Sequence, residues 1–182
     1  MKSASFPWLA GLALLLFALS GIAFAAQDRY ALKVPGGLAF ADFKGYQNWQ
    51  YVAVSETKDQ VKIIAANQPM IDAYRAGVPG NGQAFPEGSK AVKIEWSKKP
   101  NTLSPYAVSV PNALQTLAFI EKDSKRFPDT HGWAFAAFDY DTGSDTFKPS
   151  ATAGASSGAK CGYACHTAAA KQDYIFTAYP RR

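Results

Sequence analysis

The two cysteines constrain this chain most. They stand at positions 161 and 165 of 182 residues, and His166 follows the second directly. Two cysteines allow one intramolecular disulfide, which would leave the histidine unexplained. A thioredoxin-like pair belongs after a strand early in a βαβ unit, whereas this pair is close to the C-terminus. A zinc site takes four ligands, and the remaining cysteine or histidine in the chain is His131 alone.

Two thiols beside a histidine are what attachment of a c-type haem requires. The thiols add across the two vinyl groups of the porphyrin as thioethers, and the histidine supplies an axial nitrogen to the iron. Cys161-Gly-Tyr-Ala-Cys165-His166 is read as an attachment sequence of the C-x-x-C-H type, with three residues between the cysteines instead of two. The expected cofactor is one covalent haem c, bound through Cys161 and Cys165, with His166 as iron ligand.

The N-terminus agrees with that chemistry, which is carried out outside the cytoplasm. Lys2 precedes an apolar run over residues 8–24, and Ala23-Phe24-Ala25 places small residues where a signal peptidase reads. This is the pattern of a secretory signal peptide over residues 1–25. The run is shorter than the roughly 20 residues that span a bilayer comfortably. The expected mature chain, residues 26–182, is one periplasmic domain without a membrane span. Loss of Lys2 takes its formal charge from +5 to +4.

Within it, 11 prolines and 14 glycines weigh against a helical bundle. Residues 46–52 read as a short helix or as a helix leading into a strand, and 61–66 as a strand. Residues 67–77 read as a helix capped by Asn67, with Pro69 in its first turn and Gly77 at its end. In residues 91–96 alternation puts Val92, Ile94 and Trp96 on one face and Ala91, Lys93 and Glu95 on the other. Residues 106–110, closed by Pro111, residues 114–121 and residues 133–140 read as further strands. Residues 149–158 read as a loop and 161–171 as a helix. The expected class is α+β, a mainly antiparallel β-sheet with a few short helices and a haem-binding helix near the C-terminus.

The iron's sixth ligand separates electron transfer from small-molecule chemistry. Past the signal peptide the one methionine is Met70, inside the capped helix, where core packing is expected of it. His131 lies in a turn. Sixteen residues follow His166 and none is methionine. An open distal iron site is therefore expected.

Several segments together resemble the cytochrome P-460 family, including the β-sheet cytochromes c′-beta. They are Tyr46-Gln-Asn-Trp49, the 67–77 helix, Phe85-Pro-Glu-Gly88 with Val92-Lys93, Lys122-Asp123 with Arg126-Phe127, Gly132-Trp133-Ala-Phe135, and the cysteine–histidine segment with Asp173-Tyr-Ile-Phe-Thr177. The resemblance implies an antiparallel β fold, a homodimer, and redox chemistry on hydroxylamine or nitric oxide. In the hydroxylamine oxidisers a lysine is bonded to the haem, and Lys93 matches that position. Those enzymes also place a carboxylate near the iron from the stretch before the haem motif. Here residues 148–160 contain no acid; Asp139, Asp141 and Asp145 are the nearest upstream. Relatives without the cross-link bind nitric oxide in an apolar, aromatic-capped pocket, for which Phe85 is the candidate cap. An electron-transfer cytochrome is the third reading.

Other patterns carry less. Gly154-Ala-Ser-Ser-Gly158 has the G-x-S-x-G form but lacks the apolar strand that a nucleophile elbow follows. The segment from Asp139 to Asp145 lacks the glycine and glutamate of a calcium loop. Lysines at 90, 93, 98 and 99 form a basic segment suited to a redox partner, and no nucleic-acid motif accompanies it.

Overall fold

A computed structural model describes residues 26–150 and 159–181, the last segment with side chains from Gly162. The expected signal peptide and most of the 149–158 loop lie outside the described residues. Six strands form one sheet: β1 (Gln50–Glu56), β2 (Gln60–Ala66), β3 (Lys90–Pro100), β4 (Ser109–Lys122), β5 (Trp133–Asp141) and β6 (Thr146–Pro149). Each pairs antiparallel with its neighbour in sequence. Among the described residues no helix is long and apolar enough to cross a membrane.

Alternation along the strands gives the sheet two apolar faces. On one, Val92, Leu117, Phe119 and Phe138 are buried under the segment before β1. That segment forms 3-10 turns at Phe40–Phe43 and Tyr46–Asn48, and the Phe43 ring stacks on Phe119 with centroids 4.3 Å apart. On the other face Ala91, Trp133 and Phe135 pack with Phe85, Ile175 and the helix α1 (Gln68–Arg75).

The Asn67 cap ties three elements together. Its side-chain oxygen accepts from the Met70 amide at the start of α1 and from the Lys90 amide at the start of β3. Its amide group donates to the Gly88 carbonyl. Gly77 ends the helical segment with φ +92°, a conformation glycine adopts without strain.

Two strand expectations need correction. Residues 106–110 and 114–121 are not separate strands: β4 is continuous from Ser109, and Pro111 lies inside it, opposite Lys98. Pairing with β5 begins only at Thr116, so Pro111 sits where β4 has one open side and its missing N–H breaks no ladder there. Register irregularities in β3 around Trp96 accompany it. The short strand β6 was not expected. At the C-terminus α2 (Ala159–His166) gives way to a 3-10 turn at Thr167–Gln172.

Candidate functional site

The face of the sheet that carries Phe135 holds a cavity of about 510 Å³, within the range of small-molecule and cofactor pockets, about 300–1,000 Å³. The register explains where it lies. Ile64, Lys93, Ala118 and Ala137 stand side by side across β2 to β5, next to the row of Ala91, Ile120 and Phe135. Alanines at 91, 118 and 137 leave the floor hollow. Met70 and Tyr74 of α1 form one wall, and Gly162, Cys165 and His166 of α2 another.

α2 lies directly on β5. A side chain at Gly162 would run into the Phe135 ring, so glycine between the cysteines lets the helix approach. A step of four along a helix, like a step of three, returns to the same face. Cys161 and Cys165 are four residues apart along α2. The Cys165 thiol is free, exposed and on the cavity wall; the Cys161 side chain is outside the described residues.

The His166 ring is held in one tautomer. Its Nδ1 lies 2.5 Å from the Tyr174 carbonyl oxygen. A carbonyl only accepts, so Nδ1 carries the hydrogen and the Nε2 lone pair is left for a metal. Burial pushes the imidazole below its ordinary value; the Tyr174 bond opposes this, and the Lys93 ammonium adds to the lowering. The ring is flanked by Phe135 and Phe176, with centroids 4.5 and 4.8 Å away.

A second layer holds that carbonyl in place. Asp173 and Tyr174 both adopt left-handed backbone, φ +47° and +64°, which non-glycine residues seldom do. The Asp173 carboxylate accepts from Lys122 Nζ at 2.9 Å and from the Phe85 amide at 2.8 Å. The Lys122 ammonium also lies 5.0 Å from the centre of the Trp133 ring. Two distant segments, Phe85-Pro-Glu-Gly88 and Asp173-Tyr-Ile-Phe-Thr177, thus meet behind the histidine. Glu87 accepts from the Ser124 amide and hydroxyl, and Tyr74 Oη donates to the Thr177 carbonyl.

Phe85 lies elsewhere than expected. It is buried, edge-on to Tyr74 and Trp133 with centroids 4.9 and 6.0 Å away, and it is not a cavity-lining residue. Phe135 and Phe176, which sequence reading did not single out as site residues, line the cavity beside His166. The β5 alternation that places Phe135 on the Trp133 face was the available signal. His131 stays in its turn, at φ +53°, stacked on Tyr174 at 5.0 Å. Met70 is buried core, as expected, and also reaches the cavity wall.

Lys93 lines the cavity, on the same sheet face as Ala118 and Ala137. Its Nζ lies 2.8 Å from Glu95 Oε1, and Lys62 Nζ lies 3.2 Å from the same oxygen. Burial pushes the Glu95 carboxyl up, but the two lysines outweigh it and hold the group below its ordinary value. Glu95 is thus a carboxylate beside the cavity, although the stretch before the cysteines supplies none. Of the upstream aspartates, Asp139 accepts from Thr116, Asp141 caps its turn by accepting from the Gly143 and Ser144 amides, and Asp145 accepts from Tyr140.

The family model Cytochrome P460 matches residues 43–177. The chain belongs to the cytochrome P460 family. The matched span runs from the Phe43 turn to Thr177, so it takes in every wall of the cavity and the layer behind His166. No curated protein matches the chain. As a cytochrome P460 member it is a haem-binding cytochrome, and the residues present fit that group: an apolar cavity, a thiol on its wall, and an imidazole whose Nε2 is free to ligate.

Proposed function

We propose that this chain is a periplasmic monohaem c-type cytochrome that carries out redox chemistry on small nitrogen compounds, hydroxylamine or nitric oxide. In this reading Cys161 and Cys165 hold the haem through thioethers and His166 ligates its iron. Bound there, the haem supplies an iron that exchanges electrons and binds small ligands. The observation that carries the reading is His166, locked by the Tyr174 carbonyl as an Nδ1–H tautomer, beside Cys165 on the α2 wall of a cavity that Lys93 of β3 also lines.

The chain's own residues have separable tasks. Tyr174 and Asp173 orient the imidazole; the Phe135 and Phe176 rings flank it. Lys93 brings a cation to the cavity, and Glu95 supplies a carboxylate for moving protons near it. A non-catalytic, nitric-oxide-binding protein like the cytochromes c′-beta is the second reading. It is favoured by the Lys93–Glu95 ion pair, which engages the amine that a haem cross-link would need. An electron-transfer role would need a sixth ligand, and Met70 on the cavity wall is the residue to test for it. A homodimer and a soluble redox partner complete the proposal.

Peptide mass spectrometry of the purified holoprotein tests the attachment. Haem should stay with the peptide spanning Cys161 to His166 after solvent extraction, and its loss would overturn the assignment. A Lys93 peptide joined to the same haem marks the hydroxylamine-oxidising form; an unmodified one marks the gas binder. Ferrous protein should bind carbon monoxide or nitric oxide without displacing a protein ligand. A six-coordinate, low-spin resting spectrum abolished by Met70→Ala would instead establish electron transfer.

A further inference from the structure

One charged cluster borders the cavity. Lys62, Lys93 and Glu95 stand together at the polar end of the cavity, and the residues lining the cavity include both lysines and no acid. Lys62 is directly opposite Glu95 in the β2–β3 register, while Lys93 reaches Glu95 along its own strand. Both ammonium groups bond the one oxygen, Oε1, at 3.2 and 2.8 Å. The Glu95 side chain is 11% exposed, that of Lys62 19% and that of Lys93 42%. The acid is thus the buried anchor, and Lys93 is the freer of its two partners.

We infer that Glu95 is a positioning residue for Lys93, holding its ammonium group at the cavity as a hydrogen-bond donor in competition with Lys62. This deepens the reading of the cavity as the haem and ligand site, and rests on it. The 2.8 Å contact has the length of a charge-assisted bond, which is about twice as strong as a neutral one. Lys62 draws on the same acceptor oxygen and repels Lys93, so it weakens that hold. In this state Lys93 acts on a bound ligand as a cation.

The test uses holoprotein at one fixed pH, trace-labelled with acetic anhydride, with Lys93 acetylation measured by peptide mass spectrometry against the exposed Lys58. Glu95→Gln should raise Lys93 labelling several-fold, because the 2.8 Å ion pair that engages the amine is gone. Lys62→Met should lower it, because Glu95 then serves Lys93 alone. The opposite signs distinguish positioning from general loosening, which raises labelling in both. The same samples, reduced and exposed to carbon monoxide, should show a C–O stretch shifted by Glu95→Gln and by Lys93→Met. Labelling that is unchanged in both variants, or moves the same way in both, overturns the inference, and so does a Lys93 peptide found bonded to haem. Failure of the wild-type ferrous protein to bind carbon monoxide would instead sink the cavity reading itself, independently of the labelling.

Discussion

Asp173 shows how much one side chain carries here. Its carboxylate takes hydrogen bonds from Lys122 and Phe85 and so sets the backbone that aims the Tyr174 carbonyl at His166. Asp173→Asn leaves Lys122, 7% exposed, as a buried charge without its counter-ion, at a cost of about 3–5 kcal/mol. Urea denaturation should show a loss of that order. Glu95 gives a pH-dependent expectation. Its folded value lies below the ordinary 4.5, so the unfolded chain binds the proton more readily. The stability from the ion pairs is present above the ordinary carboxylate range and is lost as pH falls through the folded value. Thermal unfolding of Glu95→Gln, followed from neutral pH down to about pH 3, should therefore lose less midpoint temperature than wild type.

At the scale of elements, the cavity is made by what β3, β4 and β5 omit. Alanine is a weak strand former, yet it occupies positions 91, 118 and 137 on the face that meets α2. A larger side chain there would occupy the space of the cofactor while leaving the strand hydrogen bonds untouched. Ala118→Leu should keep the far-ultraviolet circular dichroism of wild type and lose most of its haem, measured as the ratio of Soret to protein absorbance. Gly162 works from the other side, since any side chain there meets Phe135. The α2–β5 approach thus depends on small residues in both elements.

At the scale of the molecule, one sheet separates two aromatic clusters. The cluster around Phe40, Phe43 and Phe119 seals the face away from the cavity; the cluster around Met70, Phe85 and Trp133 continues into the cavity wall. Phe85 belongs to the structural part of the second cluster. Phe85→Ala should cost about 3–5 kcal/mol in urea denaturation, as large-to-small changes of buried aromatics do. Carbon monoxide rebinding to the ferrous variant, under conditions where it stays folded, should keep the wild-type rate. A markedly faster rate would make Phe85 a cap after all. The ion pair Lys122–Asp173 joins β4 to the C-terminal segment, so the layer behind His166 is built from parts of the chain far apart in sequence.

What the sequence determined alone was local. Strand alternation depends on a two-residue period, so the faces of β3 and β5 were legible residue by residue. The Asn67 cap and the thiol–thiol–imidazole order of α2 were legible for the same reason: the groups involved lie within a few residues of one another. Lys93 and Glu95 were legible as neighbours on a face, but their contact with Lys62 was not, because periodicity orients a side chain without naming its partner on the next strand. Tertiary structure decided the rest. It ran β4 through Pro111 by leaving one side of that strand open, and it turned Phe85 into the core. It also brought the Tyr174 carbonyl to His166 through a left-handed turn that Lys122 and the Phe85 amide support from a distance. Such long-range pairings depend on how the sheet and α2 pack together, and the spacing of residues along the chain does not encode that packing.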